Sequence, residues 1–362
     1  MTRAAVLTEA SAPLAIRDVD LAPTGPDQVR VALKAVGVCH SDLSIVTGVL
    51  RHPLPAVPGH EGAGVVTEAG ADVTHVRPGD RVILNWTPSC GACFFCAKGE
   101  PYLCDRAAAD AYAAPYATLD GTPLVPVLGC GAFAEETLVL GRAVVPLPEG
   151  VPFDVAALVG CAVTTGFGAA VNTARVQPGD SVVVLGCGGV GLSIVQGARY
   201  AGATTVIAVD VTDDKRALAA DLGATHTVDG GADDAEQQVR ALTDGRGADH
   251  AFEAIGRSAT IRTAYRMTRR GGNTVVVGAG SHDDLVSFSA LELFFQARSL
   301  IGCVYGSADV ARDFPRILGL YASGELALDR LITNRITLDE VNDALAAMAA
   351  GEGARTVVLF ED

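Results

Sequence analysis

Positive charge is what this chain has too little of: 27 Lys and Arg stand against 42 Asp and Glu, a formal net charge of -15 with no basic cluster to offset it. A nucleic acid or an anionic membrane surface would meet an unfavourable long-range field, so neither is an expected partner. No apolar run approaches the roughly 20 residues that cross a bilayer. The start, Met1-Thr2-Arg3 and then an alternating stretch, has neither the apolar core nor the cleavage site of a secretory leader. Low-complexity segments are missing as well, and Gly and Pro fall at scattered turn-like places, which points to a compact, soluble, cytoplasmic protein. The 362 residues suffice for two domains with separate cores.

Cysteine is present in an unusual distribution. In a reducing compartment nine cysteines are not expected to pair as disulfides, and four of them crowd between Cys90 and Cys104. The pattern Cys90-x-x-Cys93-x-x-Cys96-x7-Cys104 places four thiolates where one tetrahedral ion can be wrapped, with Gly91 and Gly99 between them for tight turns. A closed four-sulfur site is structural, and zinc is its expected occupant. The first three spacings also resemble an iron-sulfur run, but the long fourth spacing and Asp105 in place of a proline count against it.

The hydrophobic rhythm changes along the chain. Up to about residue 150, short β-type runs (Ala4-Leu7, Gln28-Val38, Gly64-Glu68, Arg81-Leu84, Ala143-Pro146) alternate with Gly/Pro turns, as in an irregular antiparallel sheet or barrel. Between 181 and 278 buried-strand runs (Val182-Leu185, Val206-Val209, His250-Glu253, Thr274-Gly278) alternate with helical stretches (Val190-Tyr200, Lys215-Leu222, Ser258-Met267), the pattern of parallel βαβ units. A helix over Leu338-Ala350 and a strand over Thr356-Phe360 are expected near the end. The fragment Val-x-Pro-Gly-Asp-x-Val occurs at Val76-Val82 and again at Val176-Val182, and reads as reuse of a turn that feeds a strand.

Directly after Val182-Leu185 comes Gly186-Cys187-Gly188-Gly189-Val190-Gly191, a G-x-G-x-x-G in a strand-turn-helix context. The first glycine permits the turn, the second lets backbone approach a pyrophosphate, and the third allows close helix-strand packing. Asp210 closes the next strand, where a carboxylate accepts hydrogen bonds from both ribose hydroxyls and repels a 2′-phosphate, so NAD is expected rather than NADP.

A second metal set is dispersed. Cys39 lies in Gly37-Val38-Cys39-His40-Ser41-Asp42, His60-Glu61 in Pro58-Gly59-His60-Glu61-Gly62-Ala63-Gly64, and Cys161 in Gly160-Cys161-Ala162-Val163-Thr164-Thr165-Gly166. Singly, each has an ordinary reading as a core cysteine or a hydrogen-bonded histidine. Together, two thiolates and one imidazole leave the fourth tetrahedral position open, as a catalytic zinc needs, and an ion there acidifies an alcohol hydroxyl.

These motifs, in this order and over essentially the whole chain, resemble the zinc-containing medium-chain dehydrogenase/reductase superfamily, closest to class III-type alcohol dehydrogenases and the actinobacterial branch that includes mycothiol-dependent formaldehyde dehydrogenase. Val82-Trp86, Asp120-Thr122 and Arg312-Pro315 look like that branch. The resemblance implies an α/β protein: a GroES-like, mostly β catalytic domain over 1–162 and 304–362, and a Rossmann doubly wound NAD-binding domain over 163–303. It implies that Cys39, His60 and Cys161 ligate a catalytic zinc, with Glu61 behind it and capable of transient ligand exchange. Cys90, Cys93, Cys96 and Cys104 would ligate a structural zinc. Asp42 would orient His60, and Ser41 would receive the substrate proton. Gly186, Gly188, Gly189, Val190, Gly191, Asp210, Lys215, Thr165, His40 and Arg355 would contact NAD, and Trp86 and Phe133 would wall the substrate pocket with Ser41. Two departures stand out: Ser44 replaces the histidine that ends the proton relay of liver-type enzymes, and after Cys104 only Arg106 lies near the place of the class III arginine that holds a thiol-adduct carboxylate.

The expected activity is hydride transfer between a primary or aromatic alcohol and NAD. A thiol-adduct dehydrogenase acting on S-hydroxymethyl-mycothiol or an S-nitrosothiol is the nearest alternative, and a non-catalytic nucleotide-binding protein is one of another class. A homodimer, or a tetramer, is expected by analogy, with Leu300-Tyr305 as the strand that extends the sheet.

Overall fold

The computed structural model describes residues 1–361, and among these the chain divides into two compact units. The first comprises Met1–Cys161, Asp309–Gly324 and the chain from Leu328 onward; the second comprises Ala162–Ala308 and Glu325–Ala327.

The first unit is mostly β. The strand Gln28–Val38 alternates buried and half-buried residues from Val29 to Lys34 and is covered on both faces from Ala35 to Val38, the period of two giving way to a continuous apolar run where the sheet is roofed. Glu61–Ala69 pairs with it antiparallel, Gly37 opposite Glu61, and Arg355–Leu359 pairs along its other edge, Val38 opposite Thr356. That register matters for function. Cys39 leaves the strand end beside Gly59 and His60, and Arg355 lies one position beyond the last rung. A further sheet joins Thr2–Val6, Ala15–Leu21, Ala117–Leu119, Thr122–Pro126 and Ala56–Val57.

In the second unit the six strands His226–Asp229, Thr205–Asp210, Ser181–Leu185, Ala248–Glu253, Thr268–Val276 and Ser299–Gly302 stand in that spatial order, every neighbouring pair parallel. Helices Gly189–Tyr200, Asp213–Asp221, Ala235–Ala241 and Ser258–Met267 connect them. This is the doubly wound α/β arrangement, in which ligands bind outside the carboxyl ends of the strands.

Three sequence expectations shift. The strand expected over Leu300-Tyr305 is Ser299–Gly302, and Tyr305–Ser307 turns in a 3-10 helix. The helix expected from Leu338 opens as a 3-10 turn, capped reciprocally by Thr337 and Glu340, before the α-helix Val341–Ala349. Apolar runs need a correction: Phe153–Thr173 forms a 21-residue helix long and apolar enough, by length and composition, to cross a bilayer. Its side chains are almost all buried in the protein, so it is a core helix, and its interspersed Gly and Thr residues hide the run from inspection.

Candidate functional site

The side chains expected to ligate metal gather in the first unit. One ligand atom from each of Cys39, His60, Glu61 and Cys161 lies within 4.8 Å of the others, and all four residues are buried. Cys39 is the N-cap of the helix His40–Val46. Asp42, in the first turn of that helix, has no exposed surface; its Oδ2 accepts the Cys39 N–H at 3.1 Å and its Oδ1 accepts the Gly59 N–H at 3.0 Å. The same Oδ1 takes His60 Nδ1 at 3.0 Å, which sets Nδ1 as the proton-bearing nitrogen and turns Nε2 inward. Cys161 arrives on the helical segment Val159–Val163. Its neighbour Gly160 lets the helix approach the sheet: a Cβ there would stand 2.9 Å from the Leu84 carbonyl oxygen.

The groups of this cluster shift one another's protonation. A hydrogen bond from the Cys161 thiol, against the effect of burial and helped by His60, holds Cys39 well below the usual thiol range. Cys161 itself is pushed well above it by that same bond and by burial. Burial disfavours a charged imidazole at His60, but Asp42 and Cys39 outweigh it and hold the ring well above its ordinary value. Burial drives Glu61 up to about 8 against the pull of Arg355. Two atoms, His60 Nε2 and Glu61 Oε1, are buried with no hydrogen-bond partner. Buried polar atoms are almost always satisfied, and a zinc held by Cys39, His60 and Cys161 would satisfy Nε2 and keep one tetrahedral position open.

The second donor set is Cys90, Cys93, Cys96 and Cys104, whose sulfurs also lie within 4.8 Å of one another. The Cys93 N–H donates to Cys90 Sγ and the Cys90 N–H to Cys104 Sγ, each at 3.3 Å. Backbone N–H groups of Ala92 and Cys93 lower Cys90 to about 6, while burial and the Cys93 thiol raise Cys96 to about 12. Turn amides aimed at sulfur are the environment of a thiolate metal site.

Other expected residues of this unit fall in different settings. Ser41 is half-buried in the first turn of His40–Val46, and His40 is exposed at its start. Trp86 is half-buried and packs on the core with Leu50, Leu54 and Leu128. Phe133, expected in the pocket wall, has no exposed surface; a Cβ on Gly59 would lie 2.8 Å from its ring. Arg355, expected beside a pyrophosphate, is buried with its guanidinium paired to Glu61. Sequence reasoning missed Gly37. A side chain there would collide with Glu61 Oε2 and stand 3.0 Å from Arg355 Nη2, so this glycine makes room for the ion pair. A glycine two residues before a ligand cysteine, inside a buried strand, was the available signal.

In the second unit the fingerprint turn follows Ser181–Leu185. Gly186 has φ +90°, and a Cβ on Gly191 would collide with the Gly186 carbonyl. Gly188 is the N-cap of Gly189–Tyr200 and has nothing within 4 Å of its Cβ position, so the space beside that helix end is open. That cradle fits a pyrophosphate. Asp210 turns its carboxylate to the same turn, accepting the Cys187 N–H at 2.7 Å and the Thr212 N–H at 2.9 Å. Lys215 is half-buried on Asp213–Asp221, and Thr165 is buried in the helix Thr164–Gly168.

Residues 25–149 match the family of alcohol dehydrogenase GroES-like domains and residues 189–323 that of zinc-binding dehydrogenases. The S-(hydroxymethyl)glutathione dehydrogenase of Paracoccus denitrificans is 38% identical over 99% of this chain and 100% of its own length. The class-3 alcohol dehydrogenase of Cereibacter sphaeroides is 36% identical, again over 99% and 100%. Among solved structures, the benzyl alcohol dehydrogenase of Acinetobacter calcoaceticus superposes with a TM-score of 0.91 at 28% identity, covering 99% of both chains. The chain belongs to the zinc-containing medium-chain alcohol dehydrogenases, as a class III-like oxidoreductase that uses zinc and NAD.

Proposed function

We propose that the chain oxidises a primary or aromatic alcohol to the aldehyde, and runs the reverse reduction. The first unit acts as the catalytic domain and the second as the NAD-binding one. Cys39, His60 and Cys161 hold the catalytic zinc, and Cys90, Cys93, Cys96 and Cys104 hold the structural one. The carrying observation is the convergence of Cys39, His60, Glu61 and Cys161 within 4.8 Å, with His60 Nε2 buried and unpartnered. Zinc in that donor set supplies the Lewis acid that acidifies an alcohol hydroxyl, and NAD supplies the hydride acceptor.

The chain's own groups do the rest. Asp42 fixes the His60 tautomer, and Glu61, held by Arg355, stands behind the donor set. Ser41 Oγ receives the hydroxyl proton, and with Ser44 in place of a terminal imidazole the proton leaves to solvent. Within the second unit Thr165 would contact the nicotinamide end of NAD, Asp210 and Lys215 its adenosine ribose, and the fingerprint glycines its pyrophosphate.

We take the substrate to be apolar on the expected role of Trp86 as a pocket wall; Trp86 is half-buried on the core, as are Leu50, Leu54 and Leu128. The thiol-adduct reading keeps its own support, the 38% identity to an S-(hydroxymethyl)glutathione dehydrogenase. We further propose a cytoplasmic homodimer joined along the edge strand Ser299–Gly302, beside which Leu291, Phe294 and Phe295 are exposed.

An NAD-coupled screen of aliphatic and benzylic primary alcohols, with and without mycothiol or glutathione, tests the reading. Turnover of benzylic or long-chain alcohols without thiol is expected. Formaldehyde oxidation that needs the thiol, with every free alcohol inert, overturns it in favour of the adduct.

A further inference from the structure

Arg216 follows Lys215 in the first turns of Asp213–Asp221 and would pass for a solvated surface charge. It is not one. Its side chain is 15% exposed, whereas its partners Asp213 and Asp229 are 91% and 51% exposed. Nη1 donates to the backbone carbonyl of Asp210 at 2.6 Å and lies 3.5 Å from Asp229 Oδ1, while Nη2 pairs with Asp213. The Asp210 carbonyl takes a second donor, the Gly230 N–H at 3.0 Å, and Asp210 and Asp229 are register partners at the ends of adjacent strands. One planar guanidinium thus spans two strand ends and a helix start, a task its fork of donors suits and a single ammonium does not.

We propose that Arg216 is a positioning residue for recognition of the adenosine ribose: by bracing the Asp210 main chain against Asp229 it fixes Asp210 for the ribose diol, and so sharpens the preference for NAD over NADP. The inference rests on the reading that Asp210 receives the ribose hydroxyls. The Asp210 carboxylate oxygens are each held by one backbone N–H, from Cys187 and Thr212, and each keeps acceptor capacity for a ribose hydroxyl. Cys187 fixes the carboxylate from the side of the fingerprint turn, and Thr212 fixes it from the chain that leads into the helix Asp213–Asp221. Arg216 fixes the backbone that carries it. An ordinary i,i+3 helix pair with Asp213 would need neither the strand-end carbonyl nor Asp229.

The test is calorimetric titration of NAD, 2′-deoxy-NAD (no hydroxyl at C2′ of the adenosine ribose) and NADP into the zinc-loaded enzyme, with Arg216→Gln, Arg216→Lys, Asp210→Asn and the Arg216→Gln/Asp210→Asn double variant. Arg216→Gln is expected to weaken NAD about tenfold and 2′-deoxy-NAD, which keeps its 3′-hydroxyl, by only about threefold, and to narrow the NAD-over-NADP ratio. The loss should appear in KM for NAD rather than in kcat. In the Asp210→Asn background the Arg216 change should have little further effect. Arg216→Lys, which keeps the charge beside Asp213, should show the same split between the two nucleotides and carries the test should the Gln variant fold poorly. Equal weakening of NAD and 2′-deoxy-NAD, or no weakening of either, overturns the proposal while Asp210→Asn still impairs NAD. If Asp210→Asn leaves NAD affinity unchanged, the Asp210 reading fails and takes the proposal with it.

Discussion

His60 Nδ1 lies 3.0 Å from Asp42 Oδ1, and neither side chain has any exposed surface. The same carboxylate accepts the N–H of Cys39 and of Gly59, so one buried group orients the His60 imidazole and ties together two of the three chain segments that carry the expected donors. Asp42→Ala should therefore weaken zinc retention at this cluster about 10- to 100-fold, read as faster loss of one zinc per chain to a chromogenic chelator. Unchanged retention would mean that the imidazole is held by packing alone.

The two donor sets are separate clusters, and each should empty independently. Cys161→Ser is expected to lower bound zinc from two to about one per chain, abolish alcohol oxidation and leave far-UV circular dichroism unchanged. Cys104→Ser should likewise leave about one zinc, but with a lower melting temperature, because a closed thiolate site contributes folding energy. Elemental analysis beside melting curves separates the two. A wild-type protein with a single zinc would remove one of the sites.

Residue type and local period made much of this legible in the sequence. Val182-Leu185 reads as a buried strand because nothing polar interrupts it, and the structure has it within Ser181–Leu185. The repeated Val-x-Pro-Gly-Asp-x-Val builds the same turn twice: Gly79 and Gly179 have φ +94° and +95°, and Asp80 and Asp180 each accept an N–H from three residues earlier, at 2.9 and 2.7 Å. What stayed hidden depends on register between distant segments. Nothing local to Arg355 announces Glu61 as its partner; that follows from two pairings of Gln28–Val38, one to each side. Phe133 reads as a wall when aligned by motif, yet its burial is decided by the close approach of Gly59. Arg216 has the sequence of an exposed helix start, and only the parallel pairing of Asp210 with Asp229 gives its guanidinium something to span.

Acid stability should carry the mark of Asp249. Partial burial alone would raise its pKa, but hydrogen bonds from the Ser181 hydroxyl and N–H and from Arg269 Nε lower it to about 2 from 3.8. A carboxylate depressed in the folded state stabilises it fully above the unfolded value, and that contribution disappears as pH falls from about 4 through about 2. Asp249→Asn should lower stability at neutral pH and flatten the acid limb of a melting-temperature profile over that window. Parallel profiles for the two proteins would show that the depressed ionisation contributes nothing.

The Glu61–Arg355 pair occupies space that exists only because position 37 has no side chain. Any Cβ there would collide with Glu61 Oε2 and press on Arg355 Nη2, and both partners are buried, with no solvent to receive a displaced charge. Overpacking a filled interior typically destabilises by about 1–3 kcal/mol, and separating a buried ion pair adds to that, so Gly37→Ala is expected to lower unfolding free energy by at least about 2 kcal/mol. Gly37 lies on a strand with no positive φ, so the effect is steric rather than conformational. The steric origin makes a second measurement decisive. Gly37→Ala combined with Glu61→Ala, which empties the space that the new methyl invades, should recover part of the stability lost in Gly37→Ala relative to the sum of the single changes. Strict additivity in denaturant unfolding would place the strain elsewhere in the strand, and the ion pair would then have no need of a glycine at position 37.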